Sequence, residues 1–373
     1  MNSEKPHLVL ANNTKAYFNE VTYKTFLNRM TVMYGVTESG KTHATKYILQ
    51  LLSRYIPSIL VICPTNGNHG LYTNYCPVII TRFDPAVIDK IYYTQEQRKE
   101  LYMASVNLQN LSDLCDLVPS ENIKKILTRM EMNLDFQISK VNESKDNFVR
   151  KTALIEEYKR KHKESYTAVL KGYLKNEQVK NRIMELYPEI PAHLKACFEY
   201  LDTNMHTCLI LDDCAADMSS IKQGTALYDT FNKLFFQGRH IFLTTLILTQ
   251  SIACMPPAFR ANAHVNIFLD PGLASAWIEL KEVGITSKDK KDIKNFLIPK
   301  VFEDKEKYYK IIRDKSENPE FQVFLAKSSA GDETKPSKIG SKHLWGLIEG
   351  IPNNDQATLK QNPFIGKIMG SRR

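Results

Sequence analysis

The chain has 373 residues, 43% of them hydrophobic and 24% charged, with a formal net charge of +9. That is the composition of a soluble globular protein with material for two domains, or for one carrying a large insertion. Seven cysteines, an odd number without Cys-x-x-Cys pairs or metal-ligand spacing, are most simply read as free thiols of a reducing, intracellular setting. No membrane span is expected, because the most apolar stretch, 241–248, is far too short to cross a bilayer, and the first residues lack the apolar core of a signal peptide. The positive balance favours a polyanionic partner, nucleic acid first, and says nothing about fold.

In chain order, residues 26–34 end in an apolar run that stops at Gly35. Residues 43–55 read as a helix, with Tyr47, Ile48, Leu51 and Leu52 on one face. Residues 57–63, an unbroken apolar run between Pro57 and Pro64, read as a buried parallel strand, and 76–83 repeats the pattern. Strand, glycine loop, helix and strand open a βαβ unit. From about 95 to 203 long charged stretches predict a helical insertion whose charge runs are solvated faces. Strands resume at 207–211, 240–250 and 264–270, with a helix before Gly238. The runs YYKIIR and EFQVFLA flank a turn-forming DKSENP and predict a hairpin. The division expected is an α/β core in two parts (1–94 and 204–325), the helical insertion 95–203, and a basic tail 326–373. From Lys335 onward that tail has seven basic residues against Glu349 and Asp355.

Residues 35–42, Gly-Val-Thr-Glu-Ser-Gly-Lys-Thr, match the G-x-x-x-x-G-K-[ST] phosphate loop. Its glycines let successive N–H groups turn inward around phosphates at a helix N-terminus. The binding segment is therefore Gly35, Val36, Thr37, Glu38, Ser39, Gly40, Lys41 and Thr42. Lys41 supplies a point charge to the terminal phosphates of ATP, and the Thr42 hydroxyl is a Mg²⁺ ligand. Glu38 is unusual, since a carboxylate beside phosphates costs Coulomb energy unless it points outward; the alternative is a contact to a neighbouring subunit or water.

The segment 208–213, CLILDD, carries an apolar strand into paired aspartates. Asp212 is the expected partner of the metal ion and Asp213 the group that orients or deprotonates the attacking water. Gln250 ends the next strand, where a polar side chain can sense the terminal phosphate. Arg239 and Arg260 are candidate arginine fingers, each with a structural ion pair as its alternative role.

GVTESGKT, LILDDC, FFQGRHIFLTTLILTQ and MPPAFRANAHVNIF, in that order, resemble the genome-packaging ATPases of large DNA viruses, within the FtsK/HerA superfamily of P-loop NTPases. The Gly-Arg-His triplet before a strand ending in Thr-Gln, followed by Pro-Pro-x-x-Arg-x-Asn, is the most specific part. The resemblance covers about 26–85 and 205–270. It implies a three-layer α/β fold with a mostly parallel, RecA/FtsK-like sheet. It also implies a homo-oligomeric ring that hydrolyses ATP with Mg²⁺ at subunit interfaces and drives double-stranded DNA through a channel, with capsid proteins as further partners. The superfamily's catalytic carboxylate is usually Glu, whereas this chain has Asp213. A helicase or DNA pump without a packaging role, and an ATP-dependent assembly switch, are the competing readings; a small-molecule kinase fits least.

Overall fold

The computed structural model describes residues 6–18, 20–303, 309–315, 318–325, 338–340, 342, 345 and 346. Most of the basic tail expected from 326 onward lies outside the described residues. The chain divides into two compact units, Met1–Tyr93 with His206–Arg373, and Thr94–Met205.

Among the described residues the first unit holds ten strands: β1 (His7–Val9), β2 (Lys15–Tyr17), β3 (Met30–Tyr34), β4 (Ser58–Ile62), β5 (Ile79–Ile80), β6 (Thr207–Asp212), β7 (Leu243–Thr249), β8 (Val265–Phe268), β9 (Tyr309–Asp314) and β10 (Asn318–Leu325). β1 and β2 form a separate two-stranded sheet, and the other eight form one sheet in the order β10-β9-β8-β3-β7-β6-β4-β5. The strands from β8 to β5 in that order run parallel. β9 runs against β8, and β9 and β10 form the antiparallel hairpin that their sequence predicts.

Parallel strands buried on both faces need continuous apolar runs, and alternate side chains must serve two different layers. Val32, Tyr34, Leu209, Leu211 and Ile247 enter one core with Phe231, Phe235 and Trp277 of the helices Ala226–Gln237 and Pro271–Ile278. Met33, Cys208, Ile210, Leu246 and Leu248 enter the other with Ala44, Ile48, Leu49 and Leu52 of the helix Lys41–Leu52. Each such side chain contributes about 1.5–3 kcal/mol on burial. The architecture is a three-layer α/β sandwich around a mostly parallel sheet.

Two details differ from the sequence reading. The buried stripe of the helix Lys41–Leu52 is Ala44, Thr45, Ile48, Leu49 and Leu52, whereas Tyr47 and Leu51 are half-buried at its flank. The run 76–83 yields only the two-residue β5, because it is the sheet edge and pairs with β4 alone. All seven cysteines are buried free thiols.

The second unit is helical: Leu108–Leu117, Glu121–Glu143, Phe148–Leu174, Glu177–Leu186 and Ala192–Glu199. Its core gathers Leu111, Leu114, Leu170, Leu174, Ile183 and Cys197. The charges of the long helix Phe148–Leu174 face water and pair along it, Lys161 with Glu157 and Arg160 with Glu164. Exposed pairs of this kind are screened by water and add little to stability.

Candidate nucleotide site

The candidate phosphate loop, residues 35–42, follows β3 directly and ends in the helix Lys41–Leu52. Its start is fastened to the neighbouring strand, since Gly35 N–H donates to the Thr249 carbonyl at 3.1 Å. Only glycine fits there: an added Cβ would lie 2.2 Å from Ser39 Oγ and 2.9 Å from Leu269 Cβ. The curl comes from two left-handed residues, Glu38 (φ 62°) and Gly40 (φ 91°), and from Ser39 N–H donating to the Val36 carbonyl at 3.2 Å. Glu38 thus occupies a conformation that L side chains adopt at a cost, with its side chain exposed. Gly40 caps the helix, whose first N–H groups have no intrahelical partner and make an anion cradle.

Lys41 rests its ammonium on the carbonyls of Gly35 at 2.6 Å and Val36 at 2.9 Å. Burial lowers its pKa, while Asp212 and Asp213 act the other way, so both carboxylates lie within electrostatic reach of the loop. Thr42 is exposed at the start of the helix.

Asp212 closes β6 and is 4% exposed. Burial raises its carboxyl pKa, Asp213 adds to the rise, and a hydrogen bond from Tyr72 opposes it. That hydroxyl donates to Asp212 Oδ2 at 2.9 Å. Asp213 has left-handed backbone (φ 58°), which turns its side chain away from the strand direction, and accepts the Thr65 hydroxyl at 2.5 Å. Gln250, one residue past β7, is exposed and accepts a hydrogen bond from Thr37 Oγ1 at 3.4 Å. The carboxyl ends of β3, β6 and β7 therefore carry loop, acidic pair and glutamine to one edge of the sheet, where ligands of open α/β sheets sit.

The two arginines part company. Arg239 is exposed in the turn Gly238–Ile241 that leads into β7 and contacts the His240 ring at 3.1 Å. The length of β7 separates it from Gln250, roughly 20 Å at the usual strand rise, so it stands at the edge opposite its own phosphate loop. Arg260 is only 9% exposed and fully engaged. Its Nη2 and Nε donate to Glu282 Oε1 at 2.6 and 3.0 Å, and its Nη1 to the Met255 and Ile252 carbonyls at 2.7 and 3.1 Å. In this single chain Arg260 takes the alternative given for it, a structural ion pair, and its bonds knit the loop together.

Three residues at the site carry little or no signal in the sequence. Tyr72 and Thr65 contact the two aspartates. Lys310 of β9 donates to the Ser39 carbonyl at 3.0 Å. Only Thr65 had a hint, as a polar residue following an apolar strand end.

Among the described residues no group of three or more His, Cys, Asp or Glu side chains is placed to hold a metal by itself. Mg²⁺ in a triphosphate site needs fewer protein ligands, because phosphates and waters complete its octahedron. The hard oxygens of Thr42 and the buried Asp212 suit it, and a divalent charge would offset the cost of ionising Asp212 in that setting.

No family model matches the chain. In sequence it is similar to the uncharacterized protein B354L of African swine fever virus. The Pig/Kenya isolate is 24% identical over 343 residues, 92% of this chain and 93% of the relative. The Warthog/Namibia isolate is 23% identical over the same span. In structure it is similar to a genome-packaging NTPase. That protein, B204 of Sulfolobus turreted icosahedral virus 2 in complex with sulfate, is 12% identical with TM-score 0.36, over 79% of this chain and 95% of B204. Another similar structure is EssC (ATPases 2 and 3) of Geobacillus thermodenitrificans, 10% identical with TM-score 0.38, over 94% of this chain and 51% of that one. No helix among the described residues is long and apolar enough to cross a membrane.

Proposed function

We propose that the chain is an ATP-hydrolysing translocase of double-stranded DNA that packages a viral genome. The observation that carries this reading is the convergence of three neighbouring strand ends: the phosphate loop with Lys41 and Thr42, the pair Asp212–Asp213, and Gln250.

In the proposed reaction the loop N–H groups and Lys41 bind and orient the triphosphate. Thr42 and Asp212 hold Mg²⁺, which when bound neutralises phosphate charge. Asp213 takes the proton of the attacking water, and Gln250 holds that water in line. Thr65 donates to one oxygen of Asp213, and the remaining acceptor sites of the carboxylate can take a water while that bond persists. Arg239 serves a neighbouring copy's nucleotide, since it stands at the far edge of its own sheet; this supports a ring in which each site is completed in trans. Duplex DNA as the polymer follows from the motif series and the net charge of +9.

The test is an ATPase assay on the purified chain with and without duplex DNA, at low and physiological salt, with oligomer mass measured alongside. Turnover stimulated by duplex DNA, lost as salt rises and abolished in Lys41→Ala, supports the translocase. Turnover indifferent to DNA, with no DNA binding at low salt, refutes it. Negligible turnover with ATP-dependent assembly identifies a switch protein instead.

A further inference from the structure

Among the described residues Lys310 is a buried cation without a counter-charge. It lies on β9, two strands from β3, with 7% of its surface exposed. Burial lowers its pKa, and no carboxylate offsets it among the described residues. Its one hydrogen bond there is to the Ser39 carbonyl, at 3.0 Å. The same nitrogen is 3.4 Å from where a Gly40 Cβ would stand, so the ammonium lies against the outside of the phosphate loop. An unpaired lysine held out of water destabilises a fold, and a methionine of similar shape would serve packing as well. Its placement at the loop therefore points to a use.

That use follows from the peptide it touches. A trans peptide directs its carbonyl and its N–H to opposite sides. With Lys310 on the Ser39 oxygen, the Gly40 N–H points away from the lysine, next in sequence to the unpartnered N–H groups that begin the helix Lys41–Leu52. A charged donor on a carbonyl polarises the whole amide and strengthens the N–H as a donor, by about 10–30% per bond in condensed-phase estimates.

We propose that Lys310 is a positioning residue for the phosphate loop: it clamps the Ser39–Gly40 peptide from outside, sharpens the Gly40 N–H toward a phosphate, and links the loop to the β9–β10 hairpin. The proposal rests on residues 35–42 being the nucleotide site. Through this bond, the hairpin and the loop share any shift that nucleotide imposes.

The test compares the full-length wild type with Lys310→Met, Lys310→Gln and Lys41→Ala. The readouts are affinity for a fluorescent ATP analogue, kcat and KM with MgATP, and melting without nucleotide. Lys310→Met should weaken nucleotide binding about fivefold and raise KM in proportion, while melting stays at or above the wild-type temperature. Lys310→Gln, which keeps a neutral donor, should fall between the two, and remains informative if the methionine variant does not fold. Unchanged affinity in a folded Lys310→Met or Lys310→Gln overturns the proposal while leaving the nucleotide site intact. Affinity that falls only in step with a lower melting temperature assigns Lys310 to packing and also overturns it. A wild type that binds no nucleotide, like Lys41→Ala, removes the site reading itself and the proposal with it.

Discussion

Gly35→Ala is the sharpest perturbation of the candidate site, because a single methyl group tests how the loop is packed. The added Cβ would sit 2.2 Å from Ser39 Oγ and 2.9 Å from Leu269 Cβ, both inside van der Waals contact. The first clash is soft, since the Ser39 hydroxyl can rotate; it is buried and has no hydrogen-bond partner to lose. The second is hard, because Leu269 Cβ moves only with its backbone, and Leu269 N–H is bonded to the Tyr34 carbonyl at 2.8 Å. Overpacking of this kind costs about 1–3 kcal/mol. Gly35 does not have positive φ, so the cost is steric and owes nothing to backbone strain. Both tryptophans, Trp277 and Trp345, belong to the sheet unit, so their fluorescence follows its unfolding in thermal melts. Gly35→Ala should lower that melting transition and weaken ATP binding. Ser39→Ala alone should be near neutral, and the double variant should recover about 0.5–1 kcal/mol of the loss, a coupling expected for contacting sites. A Gly35→Ala protein with wild-type melting and affinity would refute the described loop, and strict additivity in the double variant would refute the Ser39 contact.

Further outcomes follow from the same geometry. Burial raises the Asp212 carboxyl pKa, so this group's contribution to folding is fully present below the unfolded-state value and is lost as pH rises through the folded one. Mg²⁺ binding needs the carboxylate and so strengthens over that same rise; Tyr72→Phe should move the rise to higher pH, read by Mg²⁺ titration of nucleotide-dependent melting across pH. Arg260→Ala should cost about 3 kcal/mol in stability by leaving Glu282 and two carbonyls unserved, measured as a lower melting temperature with or without nucleotide. Arg239→Ala, by contrast, should change stability by less than about 0.5 kcal/mol and abolish turnover. Mixing Arg239→Ala with Lys41→Ala protein should restore part of that turnover, because one copy keeps an intact loop and the other an intact arginine. Failure of such mixtures, with mixed oligomers confirmed by mass, would show that Arg239 does not act in trans.

Much of the candidate site's geometry was legible because it is local. Residues 35–42 form one segment in which Gly35 relieves a clash with a residue four positions on and Gly40 takes a left-handed turn. The runs before Gly35, Asp212 and Gln250 read as strands because burial on both faces demands unbroken apolar sequence. The β9–β10 hairpin was legible in its turn residues. The helix Lys41–Leu52 was legible as a helix, but the orientation of its stripe depended on which neighbours covered it.

By itself, then, the sequence determined the glycine loop at 35–42, the acidic strand end and the alternation of strands with helices, since backbone sterics and hydrophobic pattern act over a few residues. Only the tertiary structure decided what each polar side chain meets. It put Tyr72 on Asp212 across 140 positions, Lys310 on Ser39 across 271, and Glu282 against Arg260 across 22. Glu38 gained a backbone role, a left-handed step in the loop, that its charge had hidden. The physical reason is that a hydrogen bond depends on distance in space, and strand order, here β8-β3-β7-β6-β4, is written in no local pattern of residues.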